Sequence, residues 1–114
     1  MNDIAALQTL IKNFCEARDW DQFHSPKDLA IGVSTEAAEL LELFRFKSDA
    51  EVKALMQDAQ FRGKLNDELA DVFFFLLRMS QMNDIDLASA VRSKMEKNAQ
   101  RYTVENSKGS NRKN

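Results

Sequence analysis

Apolar residues recur along this chain every three or four positions, which is the period of an α-helix that buries one face. In the N-terminal segment these positions are Ile4, Leu7, Ile11 and Phe14. The spacing predicts a first helix from Asp3 to Arg18, capped by Asn2 or Asp3. Residues 19–24 interrupt the pattern and predict a loop.

Two further segments carry the start signals of helices. Residues 25–28 read Ser-Pro-Lys-Asp: a serine cap, a proline that suits the first turn, and an acid that suits its positive end. They predict a second helix that runs to about Lys47. Ser48 and Glu51 have the spacing of a capping box and predict a shorter third helix. Gly63 predicts the end of that helix or a break.

The helical period resumes after this glycine. It predicts a fourth helix from about Lys64 to Gln81 and a fifth from Asp86 to about Tyr102. Residues 103–114 are polar and predict a disordered tail. The expected fold class is therefore all-α, a bundle of about four to five helices per chain.

The composition supports a helical fold and excludes several classes of protein. The chain has 114 residues, which predicts one domain, over residues 1–102. It contains only three Gly and one Pro, too few for β-hairpins or for Gly-rich phosphate loops. A P-loop or Rossmann enzyme is therefore excluded.

Charge and apolar runs limit the expected partners. The net charge is -2, so we expect no broad basic surface that could hold a nucleic acid polymer. The longest apolar run, residues 72–77, is too short to cross a membrane, and the N-terminal residues lack a targeting pattern. We therefore expect a cytoplasmic protein that binds neither nucleic acid polymers nor membranes.

Acidic residues interrupt two apolar stripes that a helical bundle should bury. The stripe of the second helix consists of Leu29, Val33, Glu36, Leu40 and Leu43. The stripe of the fourth consists of Phe61, Leu65, Glu68, Val72, Phe75, Met79 and Met82, with Phe61 ahead of the predicted start. A second acid follows each Glu after three residues, Glu39 on one helix and Asp71 on the other. The two pairs therefore lie at matching depths on two long helices.

Three explanations compete for these acids, since burying an unpaired carboxylate costs several kcal/mol. The acids could be solvated or paired with Lys and Arg. They could belong to a di-iron site, but such a site needs Glu-x-x-His patterns, and the single histidine, His24, lies outside both pairs. Finally, four oxygen ligands without imidazole select a hard cation, Mg²⁺ or Mn²⁺. Mg²⁺ prefers sites that it shares with substrate phosphates.

A basic stripe on the fifth helix has two interpretations. Lys94, Asn98 and Arg101 lie at i, i+4 and i+7, with Tyr102 beside them. Alone, this pattern is typical of the solvated face of a surface helix. Beside a metal site the same residues would bind phosphates, Arg101 by a bidentate contact and Lys94 as a point charge.

Aromatic residues cluster in the predicted loop before the second helix. In one interpretation Trp20 and Phe23 fill the core at a helix junction. In the other they form a stacking platform for a base, with His24 as a hydrogen-bonding edge. The sequence pattern alone leaves both open.

Together these motifs resemble the MazG-like, all-α nucleoside triphosphate pyrophosphohydrolases. Residues 36–40 and 68–72 are similar to the E-x-x-E and E-x-x-D motifs of that family. Residues 18–26 look like the segment that precedes them in its dCTP pyrophosphatase branch, and residues 93–102 resemble its closing Lys, Asn and Lys/Arg-Tyr motif. The resemblance covers about residues 18–102, most of the chain.

The resemblance implies hydrolysis of a nucleoside triphosphate, dCTP or a related dNTP, between the α and β phosphates to the monophosphate and pyrophosphate. It implies that Mg²⁺, or Mn²⁺ as a substitute, is held by Glu36, Glu39, Glu68 and Asp71. Glu36 and Glu39 would be the catalytic residues, with Glu39 as the base that helps a metal-activated water attack phosphorus. It also implies a homodimer or a dimer of dimers.

The resemblance assigns further residues to the substrate. Lys94, Arg101 and Tyr102 would bind phosphates, Asn98 the sugar or a phosphate, and Trp20 and His24 would line the base pocket. We also expect Phe23, from the aromatic cluster, and Phe46 to contact the base. Phe46 stands where the dCTP branch commonly carries Trp, and Thr103 stands where the family often has Pro. The first departure leaves the base preference open, and the second concerns only the path of the tail.

An alternative function is a non-catalytic helical module that binds a partner or a second chain through its apolar faces. The acids would then form a structural metal site or set the register between helices, as single buried polar groups can. This alternative does not explain the basic stripe on the fifth helix.

Overall fold

All regular structure that the computed structural model describes, over residues 3–113, is helical. The helices are α1 (Asp3–Ala17), α2 (Pro26–Glu42), α3 (Asp49–Leu55), α4 (Ala59–Met82), α5 (Leu87–Arg101) and α6 (Val104–Ser107), with a 3₁₀ turn at Asp21–Phe23. The all-α prediction is confirmed. Six helices are described instead of four to five, because a single turn, α6, follows α5.

Side-chain caps start two helices where the sequence places them. The Ser25 hydroxyl accepts a hydrogen bond from the backbone N–H of Asp28 at 3.1 Å and opens α2. Ser48 and Glu51 form the predicted capping box at the start of α3, each side chain accepting from the other residue's N–H. These two predicted starts are confirmed. The predicted cap at Asn2 lies outside the described residues.

Helix α4 begins earlier than the sequence pattern indicates, at Ala59 and not at about Lys64. The Asp58 carboxylate caps it, accepting from the N–H of Phe61 at 2.9 Å. Gly63 lies inside the helix, so its prediction as an end or break is wrong. A glycine costs about 1 kcal/mol relative to Ala inside a helix, which a capped helix of this length tolerates.

Helix α2 ends at Glu42, earlier than the expected end near Lys47. Tight turns follow, and Phe46 adopts a left-handed backbone with φ of 64°. Because Ser48 already caps the next helix, the chain must change direction within these few residues. The sequence offers no glycine there, so a bulky residue takes the strained conformation.

The core is formed where α1 and α2 pack along α4. Its buried apolar side chains are Cys15, Leu29, Phe61 and Leu77. Every residue of the two predicted stripes is buried or half-buried. Helix α2 approaches α4 closely at Gly32, where an added Cβ would be 2.5 Å from the Phe75 ring. This approach lies one helical turn before Glu36 and so sets the spacing of the acid-bearing segments.

Much apolar surface stays exposed around this small core. Large exposed side chains on α1 and α4 include Leu10, Phe14, Leu69, Phe73 and Leu76. Helix α5 has no buried residue. None of the helices within residues 3–113 combines the length and the apolar character that a membrane span requires.

The segment after α5, which the sequence pattern assigns to a polar tail, begins with the helical turn α6. The Thr103 hydroxyl caps this turn by accepting from the N–H of Asn106 at 3.3 Å. Residues 108–113 form turns or irregular structure. The threonine cap therefore allows a short helical turn to form at the start of this polar segment, although the segment has no hydrophobic face to bury.

Candidate functional site

The acid pairs of α2 and α4 meet across the interface between the two helices. Glu36, Glu39, Glu68 and Asp71 each offer one carboxylate oxygen, and these four oxygens lie within 4.8 Å of one another. Glu36 and Glu68 are half-buried, whereas Glu39 and Asp71 are exposed. The first acid of each pair thus faces the helix interface, and the second lies towards solvent.

Two oxygens of this carboxylate cluster are buried without a hydrogen-bond partner, Glu36 Oε2 and Glu68 Oε2. A buried acceptor without a partner is costly, and native structures contain few of them. Within residues 3–113, no Lys or Arg forms an ion pair with these four acids. The explanation that basic side chains neutralise them therefore fails.

Hydrogen bonding, burial and the neighbouring negative charges raise the pKa values of the two half-buried acids. A hydrogen bond with Glu39, which requires a shared proton, raises the pKa of Glu36, as do burial and the neighbouring negative charges. Burial, followed by the charges of Glu39 and Asp71, raises the pKa of Glu68. A divalent cation among the four oxygens would supply the missing partner and relieve the repulsion.

The chemistry of the donor set fits a hard divalent cation. All four donors are carboxylate oxygens, and Glu36 and Glu68 each carry a buried oxygen without a hydrogen-bond partner. A di-iron site of the Glu-x-x-His kind does not fit, because His24 bonds to Arg78 elsewhere in the fold. The carboxylate cluster is therefore a candidate metal centre.

The raised pKa of Glu36 has a consequence for stability. Because this pKa lies above its ordinary value of 4.5 in the folded chain, ionisation opposes folding, and stability is lost as the pH rises through the raised pKa. Glu36→Gln removes that loss. We expect the variant in EDTA to unfold a few degrees above the unsubstituted chain at neutral pH, measured by circular dichroism melts across a pH series.

Glu42→Gln is the matched control for this experiment. Glu42 lies on the same helix, is exposed, and pairs with Arg45 at 3.0 Å. Its substitution removes an attraction instead of a repulsion, so we expect no rise in Tm. A Tm for Glu36→Gln at or below that of the control would contradict the repulsion within the cluster.

The structure brings two of the predicted base-binding residues together. Trp20 packs edge-on against the His24 ring, with centroids 6.2 Å apart, and against Phe14 at 5.5 Å. His24 is half-buried, and its Nδ1 accepts a hydrogen bond from Arg78 Nε at 3.0 Å. Phe23, in the same turn, is 62% exposed. The rings of Trp20 and His24 are thus in contact, whereas the Phe23 ring lies in solvent.

Phe46 lies on the surface with 90% of its area exposed. The Arg45 guanidinium stands 4.5 Å from the centre of its ring. Its ring meets no other aromatic ring within the described part of the chain. Its role in base binding stays a prediction.

The basic stripe of α5 also lies on the surface. Lys94 and Arg101 are exposed, whereas Asn98 and Tyr102 are half-buried. The Arg101 guanidinium stands 5.2 Å from the centre of the Tyr102 ring. The chain gathers its four acids at one place and carries this stripe on a separate helix. The phosphate-binding role of the stripe stays a prediction.

The sequence patterns did not single out Arg78, the largest fully buried side chain of the described chain. Its guanidinium donates to Asp21, to His24 and to Gln81. The signal in the sequence is an arginine directly after the longest apolar run, on a helix whose neighbouring positions face the core. Such a residue needs buried partners, which the sequence alone does not identify.

A family comparison agrees with this geometry. Residues 31–114 match the model of the MazG-like family. The chain belongs to the MazG-like family. The match includes all four acids of the cluster and the whole basic stripe of α5, so the resemblance seen in the sequence is confirmed.

Individual proteins similar to this MazG-like chain include dCTP pyrophosphatase 1 of Rattus norvegicus, 41% identical over 104 residues, which are 91% of this chain and 61% of the relative. The Homo sapiens protein of that name is 36% identical over 107 residues, 94% of this chain and 63% of the relative. This chain therefore spans about three fifths of the length of these relatives.

The crystal structure of a pyrophosphatase from Archaeoglobus fulgidus has a similar fold. Its TM-score with this chain is 0.80 at 35% sequence identity, and the match covers 90% of this chain and 94% of the other. The arrangement of helices that brings the four acids together is thus found in a solved structure of similar length.

Proposed function

We propose that this MazG-like chain hydrolyses dCTP, or a related nucleoside triphosphate, to the monophosphate and pyrophosphate with the help of Mg²⁺. The observation that carries the proposal is the carboxylate cluster, with its two buried oxygens that lack partners. The similarity to two dCTP pyrophosphatases supports the choice of dCTP. The similarity to an archaeal pyrophosphatase supports the class of reaction.

The half-buried and the exposed acids of the carboxylate cluster would have different roles. Glu36 and Glu68 would hold the cation from the helix interface, and Glu39 and Asp71 from the solvent side. When bound, Mg²⁺ or Mn²⁺ supplies charge neutralisation for the triphosphate and lowers the pKa of a water. The Glu39 carboxylate is exposed, so it can take a proton from a water that approaches the substrate, and Glu36, one helical turn earlier, would hold the cation beside it.

The remaining predicted residues would bind the substrate. Lys94 and Arg101 are exposed cations that can contact phosphates, with Asn98 and Tyr102 beside them on the same helix. The base would meet the paired rings of Trp20 and His24. The exposed rings of Phe23 and Phe46 are free to stack on the base or to meet a second chain.

We further propose that the chain works as a homodimer or a dimer of dimers. Exposed side chains on α4 form part of an apolar groove of about 410 Å³, lined by Leu40, Leu69, Ala70, Val72, Phe73 and Leu76. A single chain leaves this groove and the apolar side chains Val91 and Met95 of α5, each 58% exposed, in water, which is unfavourable for surfaces of this kind. A second copy would cover them, and could bring a basic stripe towards the acids.

The alternative function, a non-catalytic module with a structural metal, rests on the same apolar groove. A module of this kind would also bind a cation at the carboxylate cluster and would also oligomerise. It differs from the enzyme in a single measurable way, because it releases no product from a nucleotide.

The deciding experiment is a substrate panel with detection of pyrophosphate. We expect Mg²⁺-dependent release of pyrophosphate from deoxynucleoside triphosphates, with dCTP preferred among all canonical dNTPs and NTPs, and none in EDTA. Orthophosphate as the product would contradict cleavage between the α and β phosphates. A Mg²⁺-dependent rise in Tm without any product would favour the structural module.

A further inference from the structure

Arg78 makes a buried connection between α4 and the segment before α2. Its side chain is 1% exposed, although it carries a charge. Nε donates to His24 Nδ1 at 3.0 Å, one terminal nitrogen donates to Gln81 Oε1 at 2.6 Å, and the other donates to Asp21. The three acceptors compensate the buried charge of Arg78, which would be strongly unfavourable without partners.

The contact with His24 determines where the imidazole carries its proton. An arginine can only donate and stays charged, so His24 Nδ1 must be the unprotonated nitrogen that accepts. In a neutral ring the other nitrogen, Nε2, then carries the hydrogen. Burial and the charge of Arg78 both lower the pKa of His24, although Asp21 opposes them, and this favours the neutral ring.

The same network fixes the aromatic ring beside the histidine. The 3₁₀ turn at Asp21–Phe23 closes with a hydrogen bond from the N–H of Phe23 to the carbonyl of Trp20 at 2.9 Å. Asp21, the first residue of that turn, is held by Arg78, and the Trp20 ring rests edge-on against His24. A single side chain from α4 thus holds Asp21 and His24, the residues at the start of the 3₁₀ turn and directly after it.

We propose that Arg78 is a positioning residue for base selection, which holds His24 as an Nε2–H donor towards the base and keeps Trp20 beside it. The inference rests on the proposed function, which places Trp20 and His24 at the base. An Nε2–H donor held in one place favours a base that presents a hydrogen-bond acceptor to it. The N3 atom of cytosine is such an acceptor, whereas N3 of thymine carries a hydrogen.

A purely structural arginine would behave differently. Loss of a structural tether lowers stability and reduces activity towards every nucleotide alike. Loss of a positioning residue changes the imidazole tautomer and raises KM for the preferred base, with little change in kcat. The chain contains one histidine and one tryptophan. The imidazole ¹⁵N signals and the tryptophan fluorescence therefore both report on this segment alone.

The test compares Arg78→Met with Arg62→Met, an exposed arginine on the same helix. In nucleotide-free protein, ¹⁵N spectra of the sole imidazole should show Nδ1 unprotonated in the unsubstituted chain and in the control. Arg78→Met should show a mixture of tautomers. In kinetics, Arg78→Met should raise KM for dCTP about tenfold or more, with kcat within about threefold, and reduce the preference for dCTP over dTTP.

Three results would overturn the proposal: an unchanged tautomer in Arg78→Met, a fall in kcat at constant KM, or an equal rise in KM for dCTP and dTTP. If Arg78→Met does not fold, Asp21→Asn replaces it, because the Asp21 side chain is half exposed. That variant should show the same loss of base preference to a smaller extent, and an unchanged preference would count against the proposal.

The test also separates this inference from the proposed function. If no nucleotide yields pyrophosphate, the proposed function fails, and Trp20 fluorescence titrations with dCTP and dTTP measure base preference without turnover. A preference for dCTP that Arg78→Met removes would support the positioning role. Equal affinities for the two nucleotides in the unsubstituted chain would overturn it.

Discussion

Asp71→Asn is expected to abolish Mg²⁺-dependent release of pyrophosphate, and Glu36→Gln should do the same. Each substitution keeps the shape of the side chain and removes one of the four negative charges that would hold the cation. Because even residues that only orient metal ligands are worth about 10–100-fold in affinity or activity, losing a ligand should lower kcat/KM by roughly 100-fold or more. Pyrophosphate assays at saturating Mg²⁺ measure the loss.

Asp67→Asn is the matched control for these variants. Asp67 is an exposed acid on α4, directly before Glu68, but it does not belong to the carboxylate cluster. Its substitution changes the net charge of the chain by the same amount, so kcat/KM should stay within about twofold. If Asp71→Asn retained the activity of this control, the cluster would not be the metal centre of the reaction.

The sequence allowed the acid pairs of this centre to be predicted because helical periodicity is a local property. Glu36 and Glu68 occupy positions that only apolar residues should fill, and the structure buries one oxygen of each. What periodicity could not establish is that the two stripes face each other. Gly32 favours that arrangement, because it lets α2 approach α4 closely.

Two features of α4 did not follow from local sequence signals. Gly63 suggested a break, but the cap at Asp58 is stronger than the propensity of one exposed glycine. Two of the three partners of Arg78 lie 54 and 57 positions earlier in the chain, at His24 and Asp21, so no local pattern could reveal them. Long-range polar contacts of this kind depend on how α4 packs against the rest of the chain, which the apolar periodicity of its sequence does not reveal.

Gly32→Ala is expected to destabilise the chain and to disrupt the carboxylate cluster together. The added Cβ would lie 2.5 Å from the Phe75 ring, which packs edge-on against Phe74 at 5.1 Å, so the ring or the helices must shift. Overpacking of this kind costs about 1–3 kcal/mol, against a gain of at most about 1 kcal/mol in helix propensity. We expect a lower free energy of unfolding in urea and a weaker Mg²⁺-dependent rise in Tm.

Two companion variants decide whether this contact is the cause. Gly63→Ala introduces the same methyl group into α4 at a site with no atom within 4 Å, so it should stabilise the chain by about 0.5–1 kcal/mol. Phe75→Leu in the Gly32→Ala background makes room for the methyl group, so it should recover stability and the response to Mg²⁺ together. If a double-mutant cycle showed no coupling between positions 32 and 75, the contact between Gly32 and Phe75 would not be what holds the carboxylate cluster together.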